Sequence, residues 1–238
     1  MFEPRAFVVT QNKKEAESVF LLALEPADGE RLFDFEAGQF VMLQLLNADG
    51  SVWAQAAYSI ANAPCETKNT IELGIKIEGE FTKRTSTLEN GDEVMVRGPY
   101  GAFTLKEHEG PSVFFAGGIG VVPIRSMIRE LLLCEKKEDI FLFYSCRTHP
   151  EMAYEDELRD LATQYSNFYP VFCVTREIDA GWQGECERIN IDMVQRYFSE
   201  LQKAKYYMCG PVPFMDSVHE MLEAEGIDVK GFLHKEKF

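Results

Sequence analysis

Val113-Phe114-Phe115-Ala116-Gly117-Gly118-Ile119-Gly120-Val121-Val122-Pro123 is the stretch whose reading decides the fold. An apolar run enters a glycine-rich turn, and behind the turn Ile124, Met127, Ile128, Leu131 and Leu132 recur at i, i+3, i+4, i+7 and i+8, the period of one apolar helix face. The segment therefore reads as strand, turn, helix. Glycines let the backbone reverse sharply and let a phosphate approach with no Cβ in the way, while a helix start offers N–H donors and the positive dipole end. Proline in the first helical turn costs nothing, because its missing N–H has no intrahelical partner there. The spacing is not G-x-G-x-x-G, and taken alone it fits a plain connection as well as a phosphate site.

Working downstream, the same texture repeats. Val113–Ala116, Ile140–Tyr144, Tyr169–Val174, Lys205–Cys209 and Lys230–His234 read as strands; Pro123–Leu133, Tyr154–Gln164, Ile191–Leu201 and Pro213–Glu225 read as helices. Five strands with intervening helices predict a parallel, doubly wound sheet. In such sheets ligands sit outside the carboxyl ends of the strands. Cys209-Gly210-Pro211 ends the fourth strand there, so it faces the same crevice as the glycine turn; by itself it also reads as a small buried residue followed by a turn.

Upstream the pattern is different. Ala6–Thr10, Ser18–Leu24, Gln39–Leu45, Ala57–Ile60, Thr70–Ile77 and Glu93–Arg97 read as short strands, with polar glycine reversals at Ala48-Asp49-Gly50 and Asn90-Gly91-Asp92. This predicts a small antiparallel β-barrel. The polar stretch Lys106–Gly110 separates the halves, giving domains 1–108 and 109–238.

Bulk properties exclude several function classes. With 24 basic against 39 acidic side chains the formal charge is −15, which repels nucleic acid. Runs such as Val113–Ala116 and Leu131–Cys134 are far shorter than the roughly 20 residues of a membrane span, and no basic leader precedes an apolar stretch, so a cytoplasmic protein is expected. Cys65, Cys134, Cys146, Cys173, Cys186 and Cys209 stand singly, which fits a reducing compartment and predicts no metal centre. His108, His149, His219 and His234 share no ligand spacing, and no serine sits in a nucleophile elbow.

Several motifs in order add a further layer. Ala37-Gly38-Gln39-Phe40, Tyr58-Ser59-Ile60, Arg97-Gly98-Pro99-Tyr100-Gly101, Gly117–Pro123, Trp182-Gln183-Gly184 and Cys209-Gly210-Pro211 span nearly the whole chain. Together they resemble the ferredoxin–NADP reductase family. The resemblance implies an N-terminal flavin-binding barrel followed by an NAD(P)-binding α/β domain without an iron–sulfur domain. It implies that Tyr58 lies against the flavin ring, that Ser59 bonds the ring near N5, that the backbone of Leu73–Ile77, with Ile75 and Lys76, follows the ring edge and ribityl chain, and that Ile60 belongs to the same flavin site. Thr82 corresponds to the hydroxyl that meets the flavin phosphates, with Lys83 and Arg84 next to it. Gly117, Gly118, Gly120 and Pro123 would contact the dinucleotide with Gly210 and Pro211, and Cys209 would pack beside the nicotinamide, so that Ser59 and Cys209 flank the reacting atoms. Arg147 or Arg176 would meet the adenosine end, and Phe238, beside Glu236, would cover the flavin.

One departure is plain. Where the family carries Arg-x-Tyr-Ser, this chain has Ala56-Ala57-Tyr58-Ser59. A charge-assisted contact worth roughly 1.5–3 kcal/mol is missing, which leaves FAD against FMN, and the tightness of binding, open. The activity implied is hydride transfer between NAD(P)H and a bound flavin, with electrons passed to a redox partner protein or a small-molecule acceptor. A reductase of freely diffusing flavin, an electron-transfer subunit silent by itself, and a nucleotide-binding module without flavin are the rival readings.

Overall fold

The computed structural model describes residues 2–176 and 181–229, and the backbone of Leu233–Lys237. The chain divides into two compact units, Met1–Leu105 with Arg125–Cys134, and Lys106–Ile124 with Glu135–Phe238.

The first unit is built on six strands, β1 (Arg5–Ala16), β2 (Val19–Pro26), β3 (Phe40–Leu46), β4 (Val52–Ser59), β5 (Ile71–Lys76) and β6 (Glu93–Tyr100). Their order is β4-β3-β6-β1-β2-β5, with every neighbouring pair antiparallel. An antiparallel bridge between Ile60 and Leu73 joins the two outer strands and closes the barrel. Alternation explains its core: Val41, Leu43 and Leu45 of β3 and Val94 and Val96 of β6 point inward to meet Phe20, Leu22 and Leu24. All six expected strands are present. Each runs one to several residues beyond or short of its sequence reading, and a short helix, α1 (Glu80–Thr85), also stands in this unit.

The second unit carries β7 (Ser112–Gly117), β8 (Ile140–Cys146), β9 (Phe168–Val174), β10 (Lys205–Gly210) and β11 (Leu233–Lys237) in the order β11-β10-β7-β8-β9, all parallel. The helices are α2 (Val121–Leu133), α3 (Glu155–Gln164), α4 (Ile191–Tyr197) and α5 (Val212–Ala224). Ser112–Gly117 are all buried, as in a strand covered on both faces. The reading of Ile191–Leu201 as one helix is corrected here. Asn190 caps α4 by accepting the Met193 N–H at 2.9 Å, but Phe198 turns extended, and Leu201–Lys203 form a separate 3-10 turn. Phe198 leaves the helix to pack at a tilt against Phe141, with ring centroids 4.9 Å apart, and burial of that ring outweighs three more helical residues.

Candidate functional site

In the first unit the features converge where β4 ends and β5 runs past it. Ser59 is the last residue of β4, only 2% exposed, and its Oγ has no hydrogen-bond partner among the described residues. Leaving a buried hydroxyl unmet costs about 1–3 kcal/mol, so such an atom marks a place built for something else to occupy. β5 pairs with β2 along one edge. On the other edge its ladder reaches β4 only at the Ile60–Leu73 bridge, beside which the Ala61 N–H donates to Glu72 O at 2.7 Å. By strand alternation Lys76 turns its backbone N–H and C=O to that side, beyond the bridge and outside any ladder among the described residues. A buried hydroxyl and a bare strand edge are the donor and acceptor set that a planar heteroaromatic ring such as flavin needs. Ile60 and Ile75 are fully buried in the barrel core; by the same alternation the Ile75 N–H and C=O face β2, away from the bare edge, and the Lys76 ammonium pairs with Glu78 at 2.8 Å.

Tyr58 is half-buried and its ring stacks on Phe81, centroids 6.1 Å apart; Phe81 in turn stacks on Trp53 at 6.1 Å, and the Arg84 guanidinium lies 4.7 Å over the Trp53 ring. The sequence reading missed Trp53 and Phe81, because no local pattern tells an aromatic row from core. Burial pushes the Tyr58 phenol up to about 12, so it stays neutral across the working range and a pH profile between 6 and 9 does not report it. The Thr82 hydroxyl accepts the N–H groups of Glu78 and Gly79 at 2.9 and 3.0 Å and donates to Gly79 O at 3.0 Å. It therefore shapes the turn before α1. Ala56 is half-buried on β4, and the cations that follow Thr82, Lys83 and Arg84, are exposed.

The loop after Ser59 is held by residues the sequence reading did not single out. Arg125, only 5% exposed, donates to Ala61 O at 2.7 Å and to the Glu72 carboxylate at 2.9 Å; Ser126 Oγ donates to Asn62 O at 2.7 Å, and Arg129 is ion-paired with Glu66. These residues lie on one helical face at i, i+1 and i+4, a spacing that could have suggested a polar clasp but not its target. Arg125→Met leaves the Glu72 carboxylate and the Ala61 carbonyl without this donor, and is expected to lower unfolding stability by about 3 kcal/mol, read by urea denaturation. A loss under about 0.5 kcal/mol contradicts the clasp.

In the second unit the two glycine motifs lie against each other. Cys209 of β10 pairs in register with Ala116 of β7, so the strands end together. A Cβ on Gly120 would stand 2.2 Å from Cys209 O, and one on Gly117 would stand 2.8 Å from the Phe214 ring. Gly210, at φ +156, would place a Cβ 3.0 Å from the Gly117 Cα. Gly118, at φ +53, has nothing within 4 Å of its Cβ position, leaving open space at the turn. The structure thus brings Gly117, Gly118, Gly120, Cys209, Gly210 and Pro211 together at the carboxyl ends of the strands, a backbone cradle of the kind a dinucleotide phosphate uses. Pro123 is the third residue of α2, inside its first turn. Arg147 and Arg176 follow β8 and β9 with their side chains exposed, and their loops are joined by Arg176 N–H donating to Arg147 O at 2.9 Å. Glu236 pairs by backbone with Cys209, while Phe238 lies outside the described residues.

Residues 6–105 match the family described as the oxidoreductase FAD-binding domain, and residues 114–220 match the oxidoreductase NAD-binding domain. The chain belongs to the ferredoxin–NADP reductase-like family. Among curated relatives of this reductase-like chain, it is 31% identical over 221 residues to the reductase component of propane 2-monooxygenase from Rhodococcus jostii, covering 90% of this chain and 57% of the relative. It is 29% identical over 217 residues to the glycine betaine monooxygenase reductase subunit of Pseudomonas aeruginosa, covering 89% and 58%. The chain thus spans a little over half the length of these relatives. Its fold matches the FAD/NAD-binding domain of nitric oxide dioxygenase from Vibrio cholerae with a TM-score of 0.89 and 24% identity, covering 98% of both chains. No described helix is long and apolar enough to cross a membrane.

Proposed function

We propose that this chain is an NAD(P)H-dependent flavin oxidoreductase: residues 1–108 bind flavin as FAD, with FMN as the alternative, and residues 109–238 bind the nicotinamide dinucleotide. The observation that carries this reading is the buried, unmet Ser59 Oγ at the end of β4, in a domain of the FAD-binding family. A bound flavin would supply the capacity to take up a hydride from the nicotinamide and to pass electrons to a further acceptor. Ser59 would then donate a hydrogen bond from its hydroxyl to the flavin ring near N5, which removes the cost of its burial and fixes the ring's position. The Lys76 backbone N–H and C=O would bond the ring edge, those of Ile75 being turned to β2, and Tyr58 would cover one ring face. The N–H groups of Glu80, Phe81 and Thr82 would meet the flavin phosphate, because the Gly79 N–H and the Thr82 hydroxyl are already engaged with each other.

The glycine cradle at Gly117–Gly120 and Gly210-Pro211 would seat the dinucleotide, Pro123 would start the helix behind it, and Arg147 would face its adenosine end. Cys209, fully buried, would set the depth of the nicotinamide and exclude water. No protein group donates or removes a proton in this account; the residues hold two rings in place and keep the site dry.

Two relatives are named as reductase components of monooxygenases, which supports an oxygenase as the redox partner. The charge of −15 favours a docking face on that partner that is not acidic. The test is NADH- or NADPH-dependent reduction of ferricyanide by the flavin-loaded chain. Turnover that disappears when flavin is stripped and returns when FAD is added is expected; absence of turnover with both nucleotides rejects the proposal.

Ala56 favours one second reading, in which flavin exchanges as a substrate. Loss of flavin on gel filtration, with activity restored in proportion to added FMN or riboflavin, would select it; co-elution at one flavin per chain would select the bound form.

A further inference from the structure

The scattered cysteine spacing that spoke against a metal centre is undone by the fold at one place. Cys65, in the turn Pro64–Glu66, meets Glu130 and Cys134 of the α2 end, and one ligand atom from each lies within 4.8 Å of the other two. Glu130 and Cys134 are four residues apart, one above the other on a helix face. The Glu130 carboxylate is already divided: Oε2 accepts the Cys65 backbone N–H at 2.9 Å, and Oε1 lies 3.5 Å from the Cys134 Sγ.

We propose that Cys65, Glu130 and Cys134 form a binding site for a borderline-soft divalent cation of the zinc class, through two thiolates and one carboxylate oxygen, with water as the fourth ligand. In a tetrahedral site with bonds of about 2.3 Å to sulfur and about 2.1 Å to oxygen, ligand atoms stand about 3.6–3.8 Å apart. The 3.5 Å between Oε1 and the Cys134 Sγ is already that edge. Two sulfurs with one oxygen select zinc or cadmium over calcium and magnesium, which demand oxygen ligands. The Cys65 N–H on Oε2 keeps the carboxylate turned so that Oε1 is the ligand, the kind of outer hydrogen bond that orients metal-site carboxylates. Loading exchanges the two thiol protons, released to solvent, for one cation, with no change of oxidation state.

The position gives the site its consequence. It is the next rung of the clasp made by Arg125, Ser126 and Arg129, and it holds the loop that leaves Ser59. A bound cation would tie that loop to α2 independently of the dinucleotide.

Zinc titrated by calorimetry into the flavin-loaded chain, kept reduced with a phosphine, tests the inference. One zinc per chain is expected, bound at least tenfold more weakly by C65S and by C134S, and severalfold more weakly by E130Q, whose amide oxygen still accepts the Cys65 N–H. Cys186→Ser, which removes an exposed cysteine elsewhere, should bind as the parent does. The thermal midpoint with chelator should be the same for C65S, C134S and the parent, while added zinc should raise it for the parent alone. Absence of zinc binding in the parent, binding unchanged in C65S and C134S, or loss of binding in C186S would each overturn the site.

Discussion

Ser59→Ala is expected to make the flavin-free chain more stable by about 1 kcal/mol and the flavin-loaded chain slower in reduction by NAD(P)H by about 10- to 100-fold. The opposite signs come from one atom. Without flavin the Oγ is buried with no partner among the described residues, so its removal relieves a desolvation cost of about 1–3 kcal/mol, less the small void left behind. In the loaded protein the proposed hydrogen bond from the same hydroxyl would strengthen as the ring gains negative charge, and a bond that strengthens in this way would carry roughly 1.5–3 kcal/mol of barrier lowering. Urea denaturation of the stripped protein and anaerobic stopped-flow reduction of the loaded one read the two effects separately. A variant less stable when stripped, or one reduced at the parent rate, contradicts the role given to Ser59.

Gly120→Ala should raise the KM for NAD(P)H at least tenfold and cost about 2 kcal/mol of stability. Its new Cβ would stand 2.2 Å from Cys209 O, 2.5 Å from the Cys209 carbonyl carbon and 2.7 Å from Gly210 N. All three are backbone atoms of a strand paired on both sides, so the turn must move away from β10, and overpacking of this kind costs typically 1–3 kcal/mol. That movement opens the cradle itself. Gly118→Ala is the contrast: its Cβ meets nothing, and only its φ of +53 penalises a side chain, by about 1–2 kcal/mol. Gly118→Ala should leave the cradle geometry and lose less affinity than Gly120→Ala. The reverse ranking would mean that Gly120 serves only packing.

What could be read in the sequence was what local spacing encodes. The apolar run at Val113–Ala116, the glycines behind it and the period from Ile124 to Leu132 depend on neighbours a few residues away, and they specified strand, turn and helix correctly. Strand alternation likewise gave the barrel, although β1 extends to Ala16 through residues too polar to read as strand, held by pairing with β2. What local spacing does not encode is which distant groups meet. Arg125 and Glu72 are 53 residues apart, and Cys65 lies 65 residues from Glu130. Phe198 broke the expected helix for an aromatic partner on β8, a tertiary preference invisible in its own segment. Thr82 was matched by motif to a phosphate contact, and only coordinates show its hydroxyl proton committed to Gly79. The orphaned Ser59 Oγ is equally a property of the folded barrel, since an unmet group is defined by what is absent around it.

The central claim, that this chain binds a flavin and reduces it with a nicotinamide dinucleotide, is tested most directly by the visible absorption spectrum of the FAD-supplemented protein under anaerobic conditions, recorded before and after one equivalent of NADH and, separately, of NADPH. The account predicts flavin bands that stay with the protein through a desalting column or saturate with added FAD, and that bleach with at least one of the two nucleotides. Protein that takes up neither FAD nor FMN, or bound flavin that neither nucleotide bleaches, would contradict it.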